Sequence, residues 1–314
     1  MRQRPIADLL SALNQLGGDV RSLNQQNPDC PPVKINARGL DGGYATVAGN
    51  ISSQFLSGLM LAAPLARRDV QLQVVGELVS KPYVLMTESV MRSFGAGVAV
   101  TGEHLITIDC SSKYRAIEYE IEPDASAASY FWAAAAITQG SALVQGLTET
   151  SLQGDVGFCR VLQKMGCQVD YLSDGIRVTG AAALIGVDVD MSDISDTVQT
   201  LAAVALFARG PTTVRGVAHN RVKETDRITD LARELIRLGA NVVEFEDGLT
   251  IHPPERILPA EIETYNDHRM AMSLALVGLA ADGIVIRDPD CTAKTYPGFW
   301  QDLSHFAGSR VVGY

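Results

Sequence analysis

Lys223, Glu224 and Arg227 crowd two cations and an acid into the short stretch Arg221-Val222-Lys223-Glu224-Thr225-Asp226-Arg227. A turn, Gly216 to Asn220, precedes it. An apolar-periodic run follows, Ile228, Leu231, Leu235, Ile236 and Leu238. The pattern predicts the first turn of a helix, with Lys223 and Arg227 on one face and Glu224 three residues before Arg227. A cation gains nothing from the helix dipole at that end, which already carries partial positive charge. A bound anion is the simplest reason to put cations there. The same residues also read as a solvated helix start with a few ion pairs.

Other positions offer similar chemistry. Ser52-Ser53-Gln54, Asp196 and Asp267-His268-Arg269 each open an apolar run, and Lys294 closes Cys291-Thr292-Ala293-Lys294. Singly, each reads equally as an ordinary N-cap or a surface ion pair. Together they give Lys223, Arg227, Arg269 and Lys294 as cations, with Asp196 and Glu224 as carboxylates. Cations bind and neutralise phosphate and carboxylate groups, and carboxylates held among cations can move protons. No Ser-His-Asp or Cys-His pairing, phosphate loop or G-x-G-x-x-G stands out. The set points to group transfer between two anionic small molecules by electrostatic and acid–base catalysis.

The elements that must position these residues follow from a repeat. A short polar cap before an Ala-rich apolar run recurs at Ser52, Asp124, Asp196 and Asp267, at separations of 72, 72 and 71 residues. A helix ending in apolar-Gly recurs at Leu16-Gly17, Phe94-Gly95, Met165-Gly166 and Leu238-Gly239, separated by 78, 71 and 73. Two interleaved marks with one period predict an internal structural repeat that aligns equivalent helix ends in space. Each unit reads as a buried helix, a strand, an amphipathic helix and a hairpin, the last turning at Asp247-Gly248 in the clearest case. The fold class is α/β, with internal helices wrapped by sheet. Glu122-Pro123, after a strand predicted at Arg115 to Ile121, marks a boundary that gives domains 1–122 and 123–314. Met1 falls half-way through a unit, so the first domain reads as incomplete. Exposed apolar surface is then expected around Ile6, Leu9, Leu10 and Leu13.

Composition bounds the partners. The chain has 314 residues, 46% hydrophobic and 20% charged, enough for two packed domains. A net charge of -10 without a lysine-rich run argues against nucleic acid and anionic membrane. Five scattered cysteines without C-x-x-C fit a reducing compartment, with neither a disulfide framework nor a zinc site. No signal peptide or membrane-length apolar run is present, which reads as a cytoplasmic protein, or a plastid one in a plastid-bearing source.

At these residues the sequence resembles the 5-enolpyruvylshikimate-3-phosphate synthase family. The matching stretches are Arg4-Pro5-Ile6, Ser52 to Leu56, Leu78 to Tyr83, Asp124 to Ala136, Gln153-Gly154-Asp155, Arg221 to Arg227, Tyr265 to Met272 and Cys291 to Thr295. The resemblance implies a two-domain enolpyruvyl transferase fold of repeated βαβαββ units, helices inside and sheets outside. It also implies transfer of the enolpyruvyl group of phosphoenolpyruvate to the 5-hydroxyl of shikimate 3-phosphate, releasing phosphate, in the shikimate pathway of aromatic amino acid biosynthesis. No metal or organic cofactor is implied, and the family is usually monomeric. By matching motif, Ser52, Ser53, Gln54, Ser80, Asp196 and Lys223 hold shikimate 3-phosphate. Gln54, Arg227, Arg269 and Lys294 hold phosphoenolpyruvate. Asp196 accepts a proton and Glu224 donates one, with Tyr83 and His268 as further candidates.

The sequence departs from the family pattern at His219, where an Asn that contacts shikimate 3-phosphate is frequent, and at Ser195, where Pro is frequent. It also lacks counterparts of an upstream Lys, two upstream Arg and a Gly-Asn-Ala-Gly-Thr loop that belong to the family's substrate sites and its glyphosate site. Two other readings stand beside this one. One is a UDP-N-acetylglucosamine enolpyruvyl transferase, against which the Lys-Glu-Thr-Asp-Arg and Asp-His-Arg-Met-Ala-Met stretches weigh. The other is an inactive or partner-dependent fragment.

Overall fold

The computed structural model describes residues 5–49, 53–78, 81–102 and 104–308. The chain divides into two compact units, Met1–Glu120 and Ile121–Tyr314. Among the described residues, no helix is long and apolar enough to cross a membrane.

The first unit runs α1 (Ala7–Gln15), β1 (Val20–Ser22), β2 (Val33–Ile35), β3 (Gly43–Ala48), α2 (Ser53–Ala62), β4 (Val70–Val75), α3 (Lys81–Ser93), β5 (Gly97–Thr101) and β6 (Leu105–Asp109). Its main sheet has the order β3-β4-β6-β5. β3 and β4 are parallel and joined through α2, and the remaining pairs are antiparallel. Alternation along β4 sends Val70, Leu72 and Val74 into the core with Leu56 and Met60 of α2.

The second unit runs α4 (Ala125–Thr138), β7 (Ser141–Gln145), α5 (Phe158–Lys164), β8 (Gln168–Tyr171), β9 (Gly175–Thr179), β10 (Leu184–Ile185), β11 (Asp188–Asp190), α6 (Val198–Ala205), β12 (Ala208–Arg209), β13 (Thr212–Arg215), α7 (Thr229–Arg237), β14 (Asn241–Phe245), β15 (Gly248–His252), β16 (Ala260–Ile262), α8 (His268–Ala275), β17 (Ile284–Ile286) and α9 (Phe299–Phe306). α4, α6 and α8 are the Ala-rich, apolar helices, and they are buried almost throughout; all eight residues of α6 are buried. α6 packs against both α4 and α8. Sheets of order β7-β9-β8 and β11-β13-β15-β14 cover them, with the pair β16-β17. β11 is parallel to β13 and β16 to β17, so α6 and α8 are crossover helices. Helices inside and sheets outside is the arrangement the repeat implies.

The helix-ending mark has a single physical cause. Gly17, Gly95, Gly166 and Gly239 all take left-handed φ, between 85° and 106°. At each, the glycine N–H and the next N–H turn back onto the last helical carbonyls, as in Gly239 N to Ile236 O at 3.0 Å and Ala240 N to Leu235 O at 3.0 Å. A Cβ would oppose that backbone, so glycine recurs there.

Several expectations are corrected. Residues 223–228 are not the first turn of a helix: a 3-10 turn ends at Val222, and α7 begins only at Thr229. The Asp226 carboxylate accepts from Ile228 N at 3.1 Å and Thr229 N at 3.0 Å, capping α7 later than the periodicity suggested. Lys223 and Arg227 therefore do not share a helical face. Residues 115–121 join no strand ladder among the described residues. Their alternation lacks a neighbouring strand, and Ile121 is 83% exposed. The β14–β15 hairpin turns at Glu246-Asp247, with Phe245 paired to Gly248. Gly248 is needed for close approach instead: a Cβ there would lie 2.0 Å from the Val214 carbonyl. Ile6, Leu9, Leu10 and Leu13 are half-buried rather than exposed, and Leu9 and Leu13 pack on the first unit's core.

Candidate active site

Two crossover loops and two turns bring the chemistry together in the second unit. The loop between β11 and α6 is a 3-10 turn, Ser192–Thr197, and carries Asp196. Asp196 is not the N-cap expected of it. Thr197 stands at that position without a side-chain cap, and the Asp196 carboxylate turns to two guanidinium groups instead. The equivalent loop between β16 and α8 ends at Asp267, whose Oδ1 caps α8 through Arg269 N at 2.9 Å. Tyr265 and Asn266 before it take left-handed φ of 54° and 55°, uncommon for a tyrosine. The Tyr265 hydroxyl donates to buried Glu234 at 2.7 Å, which fastens that strained loop to α7. Because α6 packs on α8, the two loops are neighbours. The turn after Val222 adds Lys223, Glu224 and Arg227, and a 3-10 turn packed on α8 adds Lys294.

Arg227 is the centre. It is 2% exposed, yet its guanidinium touches three carboxylates. Nε donates to Asp267 Oδ2 at 2.7 Å and Nη2 to Asp267 Oδ1 at 3.2 Å. Nη2 also donates to Glu224 Oε2 at 2.8 Å, and Nη1 to Asp196 Oδ1 at 3.3 Å. Arg269 Nη2 donates to Asp196 Oδ2 at 2.7 Å, and Lys294 Nζ to Glu224 Oε1 at 2.5 Å. Lys223 is half-buried and forms no ion pair among the described residues. Four cations thus face three carboxylates, a local positive excess in an acidic chain. Arg221 plays a different part: its guanidinium holds Asp226 and the carbonyls of Phe245 and Glu246, fastening the turn to the β14–β15 hairpin.

Proton affinities follow from this packing. Burial acts to raise the Glu224 carboxyl, but Arg227 and Lys294 outweigh it and hold it at about 2. Burial lowers the Lys223 ammonium, while Asp196 opposes the shift. Burial and Arg269 push His268 down to about 4, and burial and Lys223 do the same to His219. Both imidazoles are therefore neutral at pH 7. Burial pushes Tyr130 up to about 12, with Arg269 pulling the other way. Burial, aided by Asp196, raises Asp155 to about 6; the Ser126 hydroxyl donates to it.

The two histidines predict acid sensitivity. A folded pKa of about 4 against an ordinary 6.5 gives stability that is present above pH 6.5 and lost as pH falls toward 4. Asp155 has the opposite sign: its folded value is raised from 3.8 to about 6, so acidification through that range favours the fold. Each histidine is expected to cost about 3 kcal/mol when fully charged, so the histidines dominate. In urea unfolding at stepped pH, the pair of changes His219→Gln and His268→Gln should flatten the loss between pH 6.5 and 4. An unchanged slope would show that neither ring is buried neutral.

Asp196, Lys223, Glu224, Arg227, His268, Arg269 and Lys294 are thus brought together. Ser53, Gln54 and Tyr83 belong to the first unit: Ser53 is buried and Gln54 exposed at the start of α2, and Tyr83 is half-buried in α3. Ser52 and Ser80 lie outside the described residues. Sequence reasoning missed Asp267 as the bidentate partner of Arg227, because a cap position explained it already. It gave Asp155 no role, since a lone acid in a turn carries no periodic signal.

Comparison with known proteins matches the chain to a family. A family model described as EPSP synthase (3-phosphoshikimate 1-carboxyvinyltransferase) matches residues 1–303. The chain belongs to the EPSP synthase family. A 3-phosphoshikimate 1-carboxyvinyltransferase of Nostoc punctiforme is 48% identical over 300 residues, covering 96% of this chain and 70% of that protein. A relative from Brassica napus, named as the chloroplastic enzyme, is 47% identical over 317 residues, covering 96% of this chain and 60% of that one. A solved EPSP synthase from Acinetobacter baumannii superposes with a TM-score of 0.80 at 26% identity, over 98% of this chain and 71% of that one. The enolpyruvyl transferase NikO of Streptomyces tendae, at 21% identity and a TM-score of 0.72 over 95% of this chain and 70% of that one, shares the fold. Lys223, Glu224, Arg227, Asp267, His268, Arg269 and Lys294 lie in stretches that resemble the family, while Asp196 lies outside them.

Proposed function

We propose that this chain transfers the enolpyruvyl group of phosphoenolpyruvate to the 5-hydroxyl of shikimate 3-phosphate, with release of phosphate. Family membership and the activity for which the relatives are named support the reaction. The observation that carries the site is Arg227, a buried cation bonded at once to Asp196, Glu224 and Asp267. Asp196 accepts the proton of the 5-hydroxyl as that oxygen bonds to C2 of phosphoenolpyruvate. Glu224 gives a proton to the C3 methylene, which becomes a methyl group in a tetrahedral adduct. In the second step phosphate leaves C2, taking up the proton held by Asp196. The methyl group returns its proton to Glu224, and the enol ether double bond forms.

With Arg227 and Lys294 bonded to it, Glu224 is a poor acid, held at about 2. Phosphoenolpyruvate carries a carboxylate and a phosphate that compete for those cations. As they are drawn away, the burial that already acts on Glu224 prevails and its proton affinity rises. Anion binding thereby prepares the acid that the next step needs. Lys223, which forms no ion pair among the described residues, suits the shikimate 3-phosphate side. The family resemblance gives Ser52, Ser53, Gln54 and Ser80 to the same substrate, with Tyr83 as a further candidate. Cytoplasm, or plastid for a plant source, is the compartment that the relatives' names favour.

The test is product mass. The chain incubated with both substrates should yield the enolpyruvyl ether of shikimate 3-phosphate. UDP-N-acetylglucosamine in place of shikimate 3-phosphate should yield no product. An adduct of the sugar nucleotide alone would overturn the assignment.

A further inference from the structure

Asp196 is oriented in this structure by Arg227 and Arg269, the same cations that the proposed reaction gives to an anionic substrate. Sharing those cations makes the placing of the backbone beneath Asp196 matter. The candidate is one residue back. Ser195 is 2% exposed, and its Oγ lies 2.9 Å from Nε2 of His219, itself 7% exposed. Asn220, fully buried, donates from Nδ2 to the Ser195 carbonyl at 3.0 Å. The hydroxyl and the carbonyl of Ser195 are therefore held by successive residues of the 218–222 turn, which leads into Lys223 and Glu224. That turn is anchored in its own right, since Arg227 N donates to the Asn220 carbonyl at 3.2 Å. Backbone bonds around Ser195 are local, as in Ile194 N to Met191 O at 3.0 Å. The side-chain clasp thus joins the turn that carries the base to the turn that carries the acid. Its two ends, His219 and Ser195, are both positions at which the sequence departs from the family pattern, and they meet each other.

We propose that His219 is a positioning residue, which through its buried hydrogen bond to Ser195 holds Asp196 toward the substrate hydroxyl. This rests on the reaction proposed above. The charged groups facing the ring are Lys223, Asp196 and Arg227. A carboxylate displaced by a fraction of an ångström loses proton transfer before it loses binding.

The experiment is a double-mutant cycle on His219→Ala and Ser195→Ala, with kcat and the KM for shikimate 3-phosphate read separately. Each single change should lower kcat about 10- to 100-fold with KM changed less than about threefold, and the double variant should be no worse than either. His219→Gln, whose amide nitrogen reaches the place of Nε2, should restore kcat to within about threefold of the wild type. A raised KM in His219→Ala with Ser195→Ala silent would make His219 a substrate ligand and overturn the proposal. Multiplying effects would overturn it too. If the wild type itself shows no turnover, the clasp is read from the 13C carboxyl resonance of Asp196, independently of the reaction. Ser195→Ala and His219→Ala should move that resonance alike and His219→Gln should not. A resonance unmoved by Ser195→Ala overturns the proposal independently of activity.

Discussion

Asp267→Ala is expected to bring the second unit close to unfolding. Arg227 is 2% exposed and Asp267 0%, and they share two hydrogen bonds, at 2.7 and 3.2 Å. Removing Asp267 takes both bonds of its deepest pair from Arg227 and leaves it only Glu224 and Asp196, at a cost toward the lower end of the about 3–5 kcal/mol for breaking a buried pair. Asp267 also caps α8, and a lost cap costs about 1 kcal/mol more. Domains are stable by only about 5–15 kcal/mol, so this one change removes a large share. Asp267→Asn separates the two contributions. Asparagine caps as well as aspartate does but carries no charge, so it should recover about 1 kcal/mol and no more. Pairing Asp267→Asn with Arg227→Met removes both charges and should recover most of the rest, since apolar packing commonly equals a buried ion pair. Urea unfolding of the whole chain reads all of these. Wild-type stability in Asp267→Ala would mean that Glu224 and Asp196 alone satisfy Arg227 and that the Asp267 pair does not hold the site together.

The largest catalytic effect is expected from Asp196→Asn. The change keeps size and hydrogen-bonding shape while removing the proton acceptor. A positioned base is worth about 100- to 10,000-fold in rate, and the substitution should lower kcat by that much. The KM for shikimate 3-phosphate should move far less, because an amide still bonds a hydroxyl. Stability should fall little, because Asp196 is 17% exposed and its partners keep other contacts. A kcat within about tenfold of the wild type would take Asp196 out of the proton path and leave it an anchor for Arg269.

The sequence made the repeat legible because helix ends and caps are local chemistry. Gly17, Gly95, Gly166 and Gly239 need left-handed φ, and that need is written in one residue each. Likewise α4 is apolar on nearly every side, and its burial follows from that alone. Resemblance then placed Asp196, Glu224, Arg227, Arg269 and Lys294 in one site before any distance was known. What could not be read is pairing across the fold. The contact of Arg227 with Asp267 spans forty positions, and that of His219 with Ser195 spans twenty-four. Periodicity also misread 221–227. Residues that serve a site need not continue the helix behind them, and Asp226 delays its start. The predicted strand at 115–121 failed for a related reason: alternation names a strand only where a partner edge exists.

The most direct measurement is phosphate release from phosphoenolpyruvate, with and without shikimate 3-phosphate. It should be made on the 314-residue chain, both alone and joined to the part of the Nostoc punctiforme relative that lies outside the match. Release that requires shikimate 3-phosphate, in either form, and that Glu224→Gln abolishes is the expected result. No release from either form, or release indifferent to shikimate 3-phosphate, would contradict the account.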